Sequence, residues 1–147
     1  MKQREQRNKS RIIYENLEKY KEDLFRFEGD PAAEVKTPYD ENDEIETKIS
    51  KVYFQLQQKR TARDRIKTLV YYYLIGKIMI ENGQQHLKHL NLSKNQTKKL
   101  ILKGTRAYEI FRRTGKFQIY NTRIMSVKIL AEMLDEHYKN LLTSLIF

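Results

Sequence analysis

The sequence predicts an all-α fold: a helical domain with one very long helix, a tight capped corner and a C-terminal helix. Three observations predict it. Glycine and proline are scarce, five and two residues of 147. Both prolines, Pro31 and Pro38, fall in one short stretch, so little else in the chain stops a helix. Apolar residues recur at steps of three and four through most of the chain, the period of a helix with one buried face.

The elements follow in order. Ile12, Ile13, Leu17, Tyr20, Leu24, Phe25 and Phe27 recur at helical spacing among alternating charges, predicting an amphipathic helical arm over residues 1–28. Its first ten residues hold no apolar side chain after Met1 and are expected to fray. Residues 29–43, with GDPAAEVKTPYD, read as an acidic linker, because proline disfavours helix at its own position and at the one before. Residues 44–147 then form a basic all-helical domain.

Asp43 and Glu46 have the spacing of a capping pair, and the helical pattern runs on without a breaker to Gly83. One helix over 44–82 is predicted. Ile45, Ile49, Val52, Leu56, Ile66, Val70 and Tyr73 keep one frame along it, a seam that suits a partner helix, with Lys59 and Arg63 on the same frame between. Asn82-Gly83 ends this helix. A short helix reaches His89 or Leu90, and Ser93 with Gln96 forms a second capping pair opening a helix to Gly104 or through it to Thr114-Gly115. KFQIY alternates polar and apolar and allows a short extended piece. Asn121 or Thr122 opens a last helix whose buried side is Ile124, Val127, Leu130, Met133, Leu134, Tyr138, Leu141 and Leu142.

The chain is long enough for one domain with its own core, so no disulfide or structural metal is needed. It has no cysteine, which excludes disulfides and thiol chemistry and agrees with an intracellular location, in cytoplasm and nucleoid or in a nucleus. The apolar run Ile66–Ile80 contains Lys67, Gly76 and Lys77 and is too short to span a bilayer, so no membrane partner is expected. MKQREQRNKSR lacks the apolar stretch of a secretion signal.

Charge gives the first clue to a partner. Twenty-nine Lys and Arg against nineteen Asp and Glu leave a net charge of +10, pointing to a polyanion. Residues 51–147 alone carry nineteen basic and six acidic side chains, and residues 84–116 hold nine bases against the single acid Glu109. A solvated helix face mixes its signs, so a one-sided run favours phosphate contact.

Residues 83–102, GQQHLKHLNLSKNQTKKLIL, resemble the helix-turn-helix of DNA-binding proteins. They offer a short helix, a corner at Asn91, an apolar Leu92 plugging it and Ser93 capping the second helix, with Leu87, Leu90, Leu92 and Leu100 holding the pieces together. The resemblance implies that the second helix enters the major groove, with Asn95 and Gln96 at base edges as amides able to pair with adenine. Lys94, Lys98, Lys99 and Lys103 would neutralise phosphates, and Arg106, Arg112, Arg113 and Lys116 extend the positive run. The family's usual small residue is replaced by Leu87, which would push the two helices apart unless the packing adjusts, and its usual aliphatic by Thr97.

Other chemistry is poorly supplied. His86 and His89 lack a third metal ligand. Tyr71, Tyr72 and Tyr73 point in three directions on a helix and read as core rather than a stacking platform. Phe117 and Tyr120 offer a minor route to single-stranded nucleic acid. Glu132, Asp135 and Glu136 near His137 read as a charged helix face, and Asp30, Glu34 and Lys36 lack the spacing of a nuclease site. No cofactor, metal or catalytic set is expected. The two functions that emerge are a duplex DNA-binding protein, and a helical scaffold or assembly subunit of a larger protein or nucleoprotein complex. In either, residues 45–73 and the apolar C-terminus LLTSLIF would hold a protein partner or a second copy.

Overall fold

The computed structural model describes residues 2–19, 35–58, 65–114 and 126–145. Among them lie seven helices and no strand: α1 (Lys2–Lys19), α2 (Ile45–Gln57), α3 (Arg65–Asn82), a 3-10 helix (Gln84–Leu90), α4 (Lys94–Thr114), α5 (Val127–Glu132) and α6 (Asp135–Ser144). The all-α class is as expected. None of these helices is long and apolar enough to cross a membrane. The linker residues 29–34, Lys59 and Arg63, the segment 115–125 with Lys116, Phe117 and Tyr120, and the last two residues lie outside the described set.

α3 is the centre of the molecule. Leu69, Val70, Tyr71, Tyr73, Leu74, Ile75, Ile78 and Met79 are all buried, which leaves it apolar almost all round. A helix of that kind must be covered on several sides, and here α2 and α4 both pack on it. Against α4 the crossing is close because glycine meets glycine. A Cβ added at Gly76 would stand 2.0 Å from the Gly104 carbonyl oxygen, so only a residue without a side chain fits. Gly104 therefore lies inside α4 and does not end it. Tyr71 and Tyr73 are core residues, and Tyr73 meets Tyr108 of α4 with ring centroids 5.3 Å apart.

The single helix expected over 44–82 is two helices. Gln58 is extended (φ −66°, ψ 146°) and its side-chain amide donates to the Phe54 carbonyl, closing the end of α2. In the sequence the apolar periodicity lapses after Leu56 and resumes at Ile66. Turning back lets the two halves of the seam meet each other: α2 packs on α3, with Ile49, Val52 and Val70 at most 1% exposed. The partner helix for residues 45–73 is thus within the chain. The apolar C-terminus is used the same way, since Leu141 and Leu145 are buried in the same core. Ile49, Val52, Val70, Leu141 and Leu145 are thus interior, whereas Phe54 on the same stretch stays 59% exposed and Leu142 is half-buried.

The start of α2 also differs. Its N-cap is Glu44, without a side-chain cap. Asp43 instead accepts from the Asp40 N–H at 3.0 Å and from Lys51 Nζ at 2.7 Å, and Glu46 faces His86 at 3.3 Å. The last helix is likewise broken, at Met133 and Leu134, into α5 and α6, and Ser126 caps α5 by accepting from the Ile129 N–H.

α1 is helical from Lys2, so residues 2–10, expected to fray, are part of the helix. It packs chiefly on α5 and α6. Leu17 enters the core, and Ser10, fully buried, accepts from the Leu134 N–H at 2.7 Å while its hydroxyl meets His137 Nδ1 at 2.6 Å. One hydroxyl thus satisfies the first amide at the start of α6, an otherwise orphan donor.

Candidate nucleic-acid interface

The corner is built from backbone rules that the sequence carries. α3 ends at Asn82, and Gly83 (φ +102°) turns the chain while its N–H reaches the Met79 carbonyl at 2.7 Å. The 3-10 helix ends at Asn91 in the left-handed region (φ 55°, ψ 39°), which asparagine tolerates better than most residues. Ser93 and Gln96 then close a reciprocal capping box: the Gln96 N–H donates to Ser93 Oγ at 3.1 Å, and the Ser93 N–H donates to Gln96 Oε1 at 3.0 Å.

Around this corner Leu87 and Leu100 are buried, and Leu90 and Leu92 pack against the core. The 3-10 helix leans on α2 and α3. A groove of about 590 Å³, lined by Leu87, Leu92, Thr97 and Ile101 among others, runs between it and α4. Thr97 spends its hydroxyl on the Ser93 carbonyl at 2.9 Å. His89 hydrogen-bonds the His86 carbonyl through Nδ1 and Ser50 Oγ through Nε2, so both rings of the pair tie the 3-10 helix to α2.

α4 carries most of the residues expected to touch DNA. Lys94, Asn95, Gln96, Lys98 and Lys99 are exposed and Lys103 is half-buried, with its ammonium 5.7 Å from the Tyr72 ring centroid. At 100° per residue, Lys94, Asn95, Lys98, Lys99 and Leu102 fall within an arc of about 140° on the first three turns. Among the described residues none of Lys88, Lys94, Lys98, Lys99 or Lys103 is paired with a carboxylate. Arg112 and Arg113 are exposed near the end of the helix, Arg112 against the Tyr108 ring and Arg113 donating to the Leu142 carbonyl at 3.4 Å.

Arg106 is corrected. It is 3% exposed, its Nη1 donates to the Leu130 and Met133 carbonyls, both at 2.6 Å, and its Nη2 meets Asp135 at 2.8 Å. The guanidinium lies 4.5 Å over the Tyr138 ring. It is a structural clasp that satisfies carbonyls where the chain breaks between α5 and α6, and it cannot reach a phosphate. Glu109 is turned inward as well, accepting from the Tyr138 hydroxyl at 3.0 Å. Burial, reinforced by the Glu109 charge, raises the Tyr138 pKa and keeps that donor protonated.

Two further adjustments concern the amides expected at base edges and the apolar content of the face. Gln96 has its acceptor oxygen committed to the capping box, which leaves Asn95 as the amide with both halves available. Leu102, to which the sequence reading gave no role, is 36% exposed. The signal was present: with Leu100, Ala107 and Phe111 inward, position 102 falls on the opposite side of the wheel. Comparison with protein families, curated proteins and solved structures finds no match for this chain, so the chemistry of the surface carries the functional reading by itself.

Proposed function

We propose that this chain is a non-catalytic intracellular DNA-binding protein that contacts duplex DNA through the corner at Asn91 and the first three turns of α4, a helix-turn-helix-like region. The observation that carries the reading is the single sign of that face: Lys94, Lys98 and Lys99 project together without a carboxylate partner among the described residues. Unpaired lysines on a rigid, capped helix end repel one another, and a phosphate backbone relieves that repulsion while releasing its condensed counterions. Arg112 and Arg113, roughly 20 Å along the helix beyond Lys99, are spaced to meet phosphates beyond the groove.

The test is fluorescence anisotropy of the purified protein on a duplex at several salt concentrations. Affinity should fall steeply with salt, and changing Lys94, Lys98 and Lys99 together to alanine should lower the slope of log K against log salt by about three. Absence of salt-sensitive duplex binding overturns the reading.

A further inference from the structure

We infer that Asn95 and Leu102 form a base-reading line along α4, Asn95 for an adenine and Leu102 for the methyl group of a thymine about three base pairs away. The inference rests on the duplex-binding reading above and adds what that face would recognise.

Three features converge on this line. Asn95 and Leu102 are seven residues apart, so they lie within about 20° of each other around the helix and about 10.5 Å apart along it, close to three steps of B-form DNA. Cations flank the line on both sides: Lys94 and Lys98 lie about 50° to 90° to one side, Lys99 and Lys103 about 50° to 90° to the other. A duplex major groove presents the same cross-section, base edges on its floor and a phosphate wall on each side. Finally, the covered length of α4 sets the limit of the contact. Arg106 and Glu109 continue the same side of the helix but are tied to α5 and α6, so Lys94 to Lys103 is the unbroken stretch that stands clear to enter a groove, and Arg112 and Arg113 are exposed again only beyond it.

The chemistry of the two residues decides the base pair. Adenine offers N7 as acceptor and N6–H as donor, which an unoccupied carboxamide matches with both its atoms. Asn95 is exposed and has no hydrogen-bond partner among the described residues, whereas Gln96 Oε1 is held by the Ser93 N–H. Leu102 is the one large apolar side chain of α4 classed as exposed, with Leu100, Ile110 and Phe111 at 4%, 0% and 0%. Thymine's C5 methyl is the apolar feature that the major groove provides for it.

The experiment uses three duplexes of equal length: a mixed A·T duplex, the same duplex with uracil for every thymine, and the same with 7-deazaadenine for every adenine. Uracil lacks only the methyl and 7-deazaadenine only the N7 acceptor, so the site need not be known. The wild-type protein should bind the uracil duplex about fivefold more weakly and the 7-deaza duplex about tenfold more weakly at constant salt. Leu102→Ala should abolish the first difference alone and Asn95→Ala the second alone, both with an unchanged salt slope. Equal affinity of the wild type for all three duplexes, or discrimination that survives in the matching variant, overturns the inference and leaves phosphate binding standing. Failure to bind any duplex removes both.

Discussion

Arg106 holds two backbone carbonyls, one carboxylate and one aromatic face from a single buried guanidinium. Arg106→Ala leaves the Leu130 and Met133 carbonyls buried without donors, while Asp135, whose side chain is 83% exposed, returns to water. The expected loss is about 2–4 kcal/mol in urea unfolding, most of it from the carbonyls. Lys98→Ala and Lys99→Ala should change stability by less than about 0.5 kcal/mol, since both are exposed and unpaired. Beside Arg106, the Tyr138 hydroxyl keeps its proton in the fold above the ordinary value of 10.0, whereas in the unfolded chain it titrates there. The folded state then binds more protons, so stability should fall as pH rises past 10.0, and Tyr138→Phe should flatten that decline in thermal melts. These inward roles were hidden in the sequence because a count of charges has no direction. Arg106 sits among nine bases, and nothing local marks it as the one whose neighbours across space, at 130, 133 and 135, are carbonyls and a carboxylate rather than water.

Close approach of α3 and α4 is the strongest constraint between elements. Gly76→Ala places a methyl 2.0 Å from the Gly104 oxygen and 2.8 Å from the Tyr108 Cβ, and backbone is the obstacle, so the helices must separate. A loss of about 3 kcal/mol or more is expected despite alanine's better helix propensity. Gly104→Ala meets the flexible end of Met79 at 3.1 Å and the Gly76 nitrogen at 3.2 Å, a smaller intrusion. Its cost should be the lesser of the two when urea midpoints are compared. The sequence showed the glycines only as possible interruptions, since a glycine that ends a helix and one that admits a neighbour look alike until a partner is known. Helix positions at Ser93, Gln96, Asn82 and Gly83 were legible, because caps are local chemistry. The break at Gln58 was not, having neither glycine nor proline. The sequence does show a lapse in apolar periodicity after Leu56, but a hydrophobic frame that resumes in register at Ile66 outweighed it. The basic corner was legible as charge, and its orientation became clear only once α3, α5 and α6 covered the other sides of α4.

Across the molecule, packing is graded outward from the α3–α4 pair, and α1 is the element furthest from it in sequence and in contact. It is joined chiefly to α5 and α6, by Leu17, by Ser10 and by the exposed ion pairs Arg7–Glu136 at 3.8 Å and Lys9–Glu132 at 3.2 Å. Exposed pairs of this kind contribute little. The docking therefore rests on Leu17, on Ile13 and Tyr14 at the edge of the core, on the stack of Tyr14 on His137 with ring centroids 6.0 Å apart, and on the Ser10 hydroxyl. Ser10→Ala leaves the Leu134 N–H without an acceptor under α1, and undocking α1 gives that amide to water. Local opening should then become easier by about 1–2 kcal/mol without an equal loss of global stability, because an element with few buried contacts opens by itself before the core does. Native-state hydrogen exchange distinguishes the two outcomes. Amides of α1 and of the start of α6 should exchange faster in Ser10→Ala while those of α3 and α4 keep their protection, and acceleration spread evenly over all the helices would show instead that α1 and the α3–α4 pair open as one unit.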